Sequence, residues 1–472
     1  MYPGIPQSAF SVNDAASAIR AARYFKKEET MTTLKRTLST RDMVIYGLVF
    51  MIPLAPAAMY GVYLGPSSGM VALCYLIGMA AMLFTGLSYR FMSQKYPLAG
   101  SVYLYVQKGV SPPLGFMSGW AILLDYFLMP ATVVIIGSAF GNALLPDVPT
   151  WVWVLVFVAF STVTNVMGVD WVSKSSWILF VLQIAVIAIF LFCAIRMWAT
   201  GAIQFNTISF FNPEGFSFSG IMQATGIVIL SYLGFDAIST LAEEAKNPEK
   251  TVGKAIIWSI LLSGIIFIAV TFFAGMAIPD YQSLNPDSAF LDVVNFVGGP
   301  WLTMLTTIVL IVSFGMATCQ TSQAAVARVL FAMGRDGVLP KQLGFISKKH
   351  QTPYVAIIAV GVIITPIALL CTLDLISTMV SFGALVGFIL LNIAVIWKFF
   401  VKDKEKRKEH PIKSTLLYLV CPLAGFGISL SIFINLGLNA HVVGFAWLAV
   451  GIVYLLFVTK GFRSPVPQME LD

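Results

Sequence analysis

Charged residues are scarce in this chain, and their scarcity sets its class. Only 11% of the 472 residues are Asp, Glu, Lys or Arg, against roughly 25% in a typical soluble domain. Hydrophobic residues make up 58% and come in unbroken blocks instead of the alternation of an amphipathic helix or strand. A soluble globular fold is therefore excluded. The lack of short alternating segments also excludes a transmembrane β-barrel.

Groups that carry covalent or metal chemistry are also few. The five cysteines lie in apolar blocks without a disulfide or metal-binding spacing, and the three histidines are scattered. No nucleophile–base pair, metal cluster or Gly-x4-Gly-Lys-Ser/Thr loop is present. The sequence therefore predicts no enzyme, no metal, no cofactor and no direct use of ATP.

Basic residues are nearly absent from one side of the predicted membrane. Of the 29 Lys and Arg, all but Arg196 fall in the terminal tails or in and beside the even-numbered loops. This positive-inside pattern predicts a multi-pass protein of the cytoplasmic membrane with both termini cytoplasmic. The predicted domains are an N-terminal tail (1–37), a permease domain (38–460) and a C-terminal tail (461–472). The net charge of +7 carries no nucleic-acid signature. The polar, basic first 30 residues contain no signal peptide, and the start at Met1 or Met31 stays open.

Blocks of about 18 or more apolar residues predict membrane-spanning helices, so the lipid bilayer is the first partner of this chain. Twelve such blocks are found, at Met43–Leu64, Val71–Met92, Leu114–Leu144, Trp151–Met167, Ser176–Trp198, Ile221–Ala242, Ala255–Ile278, Leu302–Ala327, Tyr354–Leu373, Ile376–Phe399, Thr415–Leu436 and His441–Thr459.

Two of these spans contain residues that break helices. The first has Pro53 and Pro56, and the sixth has Gly234 beside Asp236. Both breaks begin about 10 residues into their spans, roughly 15 Å deep at the helical rise and near the centre of the bilayer. Matched breaks in two halves predict a transporter built from inverted repeats. Spans 1–5 and 6–10 are the expected repeats, with spans 11 and 12 accessory.

Two acids lie at mid-membrane depth without a basic neighbour. These are Asp125 in span 3 and Asp236 at the break of span 6. An ionised carboxylate there costs several kcal/mol unless it is balanced, and the span interiors are predicted to hold no Lys or Arg. A substrate ammonium or a proton would balance it. Tyr126 is a candidate for cation–π contact with the ammonium, and Ser231 and Tyr232 are candidates for supplying oxygen atoms.

Glutamates at the predicted cytoplasmic end of span 6 have a different interpretation. Glu243 and Glu244 are expected to bridge to Lys246 or to basic residues of the next inner loops. Glu243 is also, with Asp236, a candidate proton-coupling group.

Several segments resemble amino acid permeases. They are Tyr96-Pro-Leu-Ala-Gly-Ser-Val-Tyr103 after span 2, Leu233-Gly-Phe-Asp-Ala-Ile-Ser-Thr-Leu-Ala-Glu-Glu-Ala-Lys-Asn-Pro248, and Phe331-Ala-Met-Gly-Arg-Asp-Gly-Val-Leu-Pro340. In order and spacing the chain is similar to the amino acid–polyamine–organocation superfamily over roughly residues 35–460. Gly119-Trp120 through Asp125-Tyr126 is most similar to bacterial putrescine importers.

The resemblance implies an all-α fold of about twelve transmembrane helices, a 5+5 inverted repeat (LeuT-like) plus two accessory helices. It implies a substrate site at the span 1 break, where Ile52, Pro53 and Ala55 stand. Amino acid carriers of this superfamily have a Gly- and Ser-rich cradle for the carboxylate here, whereas proline has no N–H to donate. The acid that putrescine importers carry later in span 1 is replaced by Ala57-Ala58. Gln183 stands where some proton-coupled relatives have a lysine.

The sequence thus predicts a secondary active importer of an amino acid or polyamine, coupled to protons. An amino acid or amine exchanger is the alternative, and a channel or nutrient sensor on the same scaffold is a weaker one. A channel would show a polar stripe along several spans, and this sequence has none. A sensor would usually need a large soluble domain, and no loop here is long enough to form one. The solute, the oligomeric state and the stoichiometry stay open.

Overall fold

The chain is helical throughout the part that is described. The computed structural model describes residues 36–98, 101–286, 288–335, 339–347, 349–403, 409–464 and 466, and it leaves out the side chains of 169–176, 374 and 378. Most of both predicted tails, 1–37 and 461–472, lies outside these ranges. Within them there is no strand, only an isolated bridge between Leu38 and Ala245.

Twelve helical segments occupy the places of the predicted spans. Span 1 consists of helices Thr40–Phe50 (1a) and Ala55–Ser67 (1b), and span 6 of helix Phe218–Tyr232 (6a) and the 3-10 segment Asp236–Glu244 (6b). The other spans follow in order: Val71–Lys95 (2), Pro112–Leu144 (3), Thr150–Met167 (4), Val169–Ala199 (5), Pro248–Ala277 (7), Pro300–Arg335 (8), Tyr354–Leu370 (9), Leu373–Val395 continued by the π-helical Ile396–Lys402 (10), Pro411–Ile434 (11) and Leu438–Val458 (12). Short helices Ser101–Gly109 and Ala289–Gly298 lie in loops.

The number of spans agrees with the sequence. Among the described residues, ten helices are long and apolar enough to cross a membrane, and the two halves of span 1 together make an eleventh. Span 9 has 17 residues and falls just below that length. An all-α membrane fold of about twelve helices is thus confirmed.

Helix starts follow ordinary capping chemistry. Span 1a begins after Ser39, whose hydroxyl accepts the Asp42 N–H at 3.3 Å while its own N–H donates to the Asp42 carboxylate at 2.9 Å. Spans 3, 7, 8 and 11 each begin with proline. Proline is tolerated in the first turn because the N–H that it lacks has no helical partner there.

Burial separates an inner set of spans from an outer one. Of the most apolar part of span 6, 89% is buried inside the protein, and of span 3, 83%. The corresponding shares are 22% for span 11 and 17% for span 12. Spans 3 and 6 therefore form the centre of the bundle, and spans 11 and 12 lie at its edge.

Small residues bring span 2 against span 7. A side chain at Gly86 would place its Cβ 2.6 Å from Ile260, and one at Gly264 would place it 2.3 Å from the Met79 sulfur. Membrane helices gain packing contacts where glycine lets their backbones approach. Spans 2 and 7, the second members of the two expected repeats, therefore pack as a close pair.

Candidate functional site

The break of span 1 covers four residues. Helix 1a ends at Phe50, helix 1b starts at Ala55, and their axes differ by 44°. Ile52 has a φ of 50°, a left-handed conformation that a β-branched residue rarely adopts. Pro53 follows it and has no N–H, so the helical hydrogen-bond ladder cannot continue.

The break of span 6 packs directly on that of span 1. Leu233 is extended and Gly234 has a φ of 112°, which ends helix 6a before the 3-10 segment begins. A Cβ at Gly234 would lie 2.1 Å from the Phe50 ring. Only glycine satisfies both the backbone angle and this approach. The two breaks that the sequence predicted are therefore in contact.

A small cavity lies where the broken spans meet. Its volume is ≈ 30 Å³, room for about two water molecules, so a solute the size of an amino acid requires it to widen. Its polar side chains are Thr132, Ser231 and Ser377. The remaining lining residues are apolar: Phe50, Met51, Ile52, Ala55, Met59, Met129, Val133, Ile136, Leu230 and Phe314.

The candidate residues from the sequence are divided between this cavity and its surroundings. Ile52, Ala55 and Ser231 line it, with Pro53 in the break beside them. The Ser231 hydroxyl also meets the hydroxyls of Tyr75 at 3.0 Å and Tyr63 at 3.4 Å.

Tyr232 lies away from the cavity. Its hydroxyl donates to the Tyr75 carbonyl at 2.8 Å, and its ring packs against Phe267 at a centroid distance of 5.2 Å. The side chain is fully buried in this aromatic cluster between spans 2, 6 and 7.

Asp236 is the first residue of segment 6b and is fully buried. Tyr126 donates its hydroxyl hydrogen to Asp236 Oδ2 at 2.7 Å, and the Gly234 N–H donates to Oδ1 at 3.2 Å. The Tyr126 hydroxyl also meets the Ser101 hydroxyl at 2.9 Å. Residues of span 3, span 6 and the loop after span 2 are thereby joined in one polar chain.

Asp125 lies outside the cavity lining, on the same face of span 3 as three residues that do line it. It lies 4, 7 and 11 residues before Met129, Thr132 and Ile136, which line the cavity, and this spacing places all four on one face of span 3. One helical turn, about 6 Å, separates Asp125 from Met129. Asp125 is 2% exposed, and its Oδ2 has no hydrogen-bond partner among the described residues.

In the described ranges, neither Asp125 nor Asp236 forms an ion pair with a Lys or Arg.

Two ion pairs close the end of the bundle where helix 1a begins. Arg328 of span 8 donates from Nε to Glu244, and Arg335 donates to Glu243 at 2.9 Å. The Arg328 guanidinium also lies over the Tyr46 ring, 5.7 Å from its centroid. Of the two predicted alternatives, the structure shows pairing with basic residues beyond the predicted end of span 8, Arg328 and Arg335, and these residues belong to the longer helix of that span.

Arg328 shows that the helix of span 8 is longer than the sequence predicted. The predicted span 8 ended at Ala327, whereas the helix continues to Arg335 and leaves Arg328 only 6% exposed. Apolar residues follow the arginine, among them Leu330 and Phe331. A hydropathy window cannot show that a glutamate of another span neutralises the charge.

The opposite end of the bundle holds an open vestibule. Its volume is ≈ 580 Å³, and its polar lining consists of Gln223, Ser377, Ser381, Asn435 and Asn439. Met59, Leu230 and Ser377 line both the vestibule and the central cavity. The central cavity therefore lies next to the vestibule, with these three side chains between them, whereas the ion pairs lie at the other end of the bundle.

No metal centre is found in the described residues, where no three His, Cys, Asp or Glu side chains cluster. All five cysteines are unpaired. The chemistry of the site therefore rests on hydroxyls, backbone groups and the two buried acids.

Comparison with known proteins finds a family of membrane permeases. A family model described as amino acid permease matches residues 39–458. The chain is 34% identical over 446 residues to the low-affinity putrescine importer PlaP of Escherichia coli (strain K12), which covers 93% of this chain and 96% of that protein. It is 27% identical over 470 residues to the branched-chain amino acid permease BcaP of Bacillus subtilis (strain 168), covering 91% and 94%.

A solved structure shares the fold. The crystal structure of MhsT in complex with L-phenylalanine matches with a TM-score of 0.57 at 15% identity, covering 84% of this chain and 100% of that one. This likeness confirms the LeuT-like fold that the sequence resemblance implied.

Proposed function

This chain belongs to the amino acid permease family, and we propose that it is a secondary active carrier that imports a small amine-bearing solute. Its family and relatives make it a multi-pass membrane transporter of amino acids or amines, not an enzyme. The observation that carries the proposal is the contact of two broken spans around a small cavity at the centre of the bundle.

Helix ends favour a cation at this place. Helix 1a ends at Phe50 and helix 6a at Tyr232, both beside the break. The C-terminal end of a helix carries about half a negative charge from its free carbonyls. An ammonium group donates hydrogen bonds only, so it suits this end better than a carboxylate does.

Asp125 supplies the countercharge in this proposal. It lies one helical turn before the lining residue Met129 on the same face of span 3, and no Lys or Arg among the described residues forms an ion pair with it. A cationic solute in the cavity relieves that imbalance.

Asp236 is the proposed proton-coupling group. It lies at the break, held by Tyr126 and by the Gly234 N–H, with no basic partner in the described chain. A movement of segment 6b changes these contacts and hence the cost of ionising the acid. Glu243 pairs with Arg335, so we assign it to closure of this end.

The end closed by the ion pairs is the cytoplasmic end in this proposal. The vestibule then faces outward, and import requires that Glu244 and Arg328 separate. Opening of one end with closure of the other is how carriers with two broken spans move solutes.

Uptake into proteoliposomes tests the function. We expect an inward proton gradient to drive uptake of a labelled amine or amino acid, and a protonophore to abolish it. Uptake that requires sodium and ignores the protonophore contradicts proton coupling. No uptake of any amine or amino acid contradicts the carrier itself.

A further inference from the structure

We propose that the central cavity selects hydrophobic monoamines, meaning amines with one ammonium group, no carboxylate and an apolar body, over amino acids and diamines. The inference rests on the transport function proposed above and names the substrate class of the same site.

The start of helix 1b offers almost no donors to a carboxylate. Pro53 and Pro56 have no N–H. The Ala55 N–H donates to the Ile52 carbonyl at 2.7 Å, and the Ala57 N–H donates to the Leu54 carbonyl at 2.9 Å. A helix N-terminus binds anions through free N–H groups that point outward, and here these groups are missing or already bonded.

The first residue of segment 6b is itself an acid, Asp236, and its carboxylate lies at the start of that segment. The Gly234 N–H, just before this segment, donates to Asp236 Oδ1 at 3.2 Å. A carboxylate that is part of the chain fills the place where a substrate carboxylate would bind. Both positive helix ends at the break therefore offer few N–H groups to an anion.

The cavity does offer acceptors to a cation. The Thr132 hydroxyl donates to the Leu128 carbonyl at 2.9 Å, which leaves its oxygen lone pairs as acceptors. The C-terminal end of helix 1a also lies beside the break, although its Val49 carbonyl already accepts a hydrogen bond from the Thr318 hydroxyl at 2.9 Å. One ammonium group can thus be held here, with Asp125 as its countercharge, whether or not the solute carries a carboxylate.

The rest of the lining suits an apolar body. Met51, Met59, Met129, Val133 and Phe314 surround the hydroxyls, and no lining residue is charged. A second ammonium group would have only Asp236 as a possible partner, and that carboxylate already accepts hydrogen bonds from Tyr126 and from the Gly234 N–H. A buried unpaired charge is costly. A diamine should therefore bind this cavity more weakly than a monoamine of the same length.

Three matched pairs of compounds test the selection. Uptake of each radiolabelled compound by the wild-type protein in proteoliposomes compares isoamylamine with leucine, phenethylamine with phenylalanine, and butylamine with putrescine. The monoamine of each pair should have an apparent affinity at least tenfold higher than its partner. Leucine or phenylalanine at equal affinity overturns the inference and leaves the carrier function intact. Putrescine at equal affinity overturns the exclusion of diamines. Uptake of none of the six overturns the carrier proposal and the inference with it.

A variant that restores a donor gives the second measurement. Pro53→Ala supplies an N–H at the break, so the preference for isoamylamine over leucine should shrink severalfold. Pro366→Ala in span 9 is the matched control, because Pro366 lies within a helix away from the cavity lining. A Pro53→Ala protein with an unchanged ratio overturns the role assigned to the missing donor. If that variant does not accumulate, the six-compound comparison on the wild type decides.

Discussion

Asp125 is the residue whose charge should matter most for affinity. Replacing it by Asn removes the negative charge one helical turn before the lining residue Met129 and keeps a polar group of similar size. Loss of a buried, charge-paired interaction costs about 2–5 kcal/mol, and about 1.4 kcal/mol is one decade of affinity. Asp125→Asn should therefore weaken the apparent affinity for the transported amine by more than about tenfold, measured as concentration dependence of uptake.

The control for this variant is Asp147→Asn. Asp147 is exposed in the loop before span 4, and its replacement should leave affinity unchanged. Equal affinity of Asp125→Asn and the wild type would mean that Asp125 has a structural role only. Accumulation of the variant in the membrane is expected, because an amide is cheaper there than an ion.

Gly234 is the residue whose backbone conformation a larger amino acid cannot adopt without strain. Alanine at a φ of 112° is strained by at least about 1–2 kcal/mol, and its Cβ would overlap the Phe50 ring. Gly234→Ala should lower the thermal unfolding temperature in detergent and reduce uptake. Gly427→Ala in span 11 is the comparison, since a Cβ there meets nothing within 4 Å. Similar unfolding temperatures for both variants would contradict the close approach of the breaks.

Single residues with unusual chemistry could be predicted from the sequence, but their partners could not. Pro53, Gly234 and Asp236 stand out because each conflicts with an apolar helix. The hydrogen bond from Tyr126 to Asp236 joins residues 110 positions apart, and no local pattern indicates it. Tyr126 was expected to contribute its ring, whereas the structure shows that its hydroxyl is engaged as well.

At the scale of helices, the breaks were predictable and the ends were not. A break follows from local backbone chemistry, so the proline and glycine residues of the sequence predict it directly. The end of span 8 depends on the Arg328–Glu244 pair, a contact between two spans that lowers the cost of burying the guanidinium. Hydropathy therefore ended span 8 at Ala327, eight residues before the helix ends at Arg335.

The Glu244–Arg328 pair should be essential for stability, whereas the neighbouring Glu243–Arg335 pair should not. Both side chains are at most 7% exposed, and breaking a buried pair from one side costs about 3–5 kcal/mol. Glu244→Gln should therefore lower the thermal unfolding temperature clearly. In the Glu243–Arg335 pair the arginine side chain is 29% exposed, and such pairs contribute about 1 kcal/mol or less.

Glu243→Gln is therefore the matched control, with a much smaller shift expected in the same unfolding assay. If the two substitutions lower the unfolding temperature equally, burial does not distinguish the two pairs, and the assignment of Glu244 to closure of this end fails.

At the scale of the whole molecule, the bilayer itself made the fold predictable. In lipid every backbone group must be satisfied within its own segment, so apolar length alone reveals the helices. The central cavity and the vestibule depend on how twelve helices pack, and this follows from contacts distant in sequence. Orientation follows from a third source, the distribution of Lys and Arg between loops.

The orientation can be tested by cysteine labelling at the two ends. In a background without the five native cysteines, Asn439→Cys lies exposed in the vestibule lining, and Lys413→Cys lies exposed at the start of span 11. A membrane-impermeant maleimide added to intact cells should label Asn439→Cys at once and Lys413→Cys only after permeabilisation. The reason is that all basic residues but Arg196 fall on one side.

The labelling rate at Asn439→Cys also reports on the transport cycle. The vestibule shares Met59, Leu230 and Ser377 with the central cavity, so a bound amine that closes the outer end should slow labelling there. Labelling of Lys413→Cys in intact cells would reverse the topology, and the ion pairs would then close the outer end. An unchanged rate at Asn439→Cys under saturating amine would mean that the vestibule does not lie on the transport path.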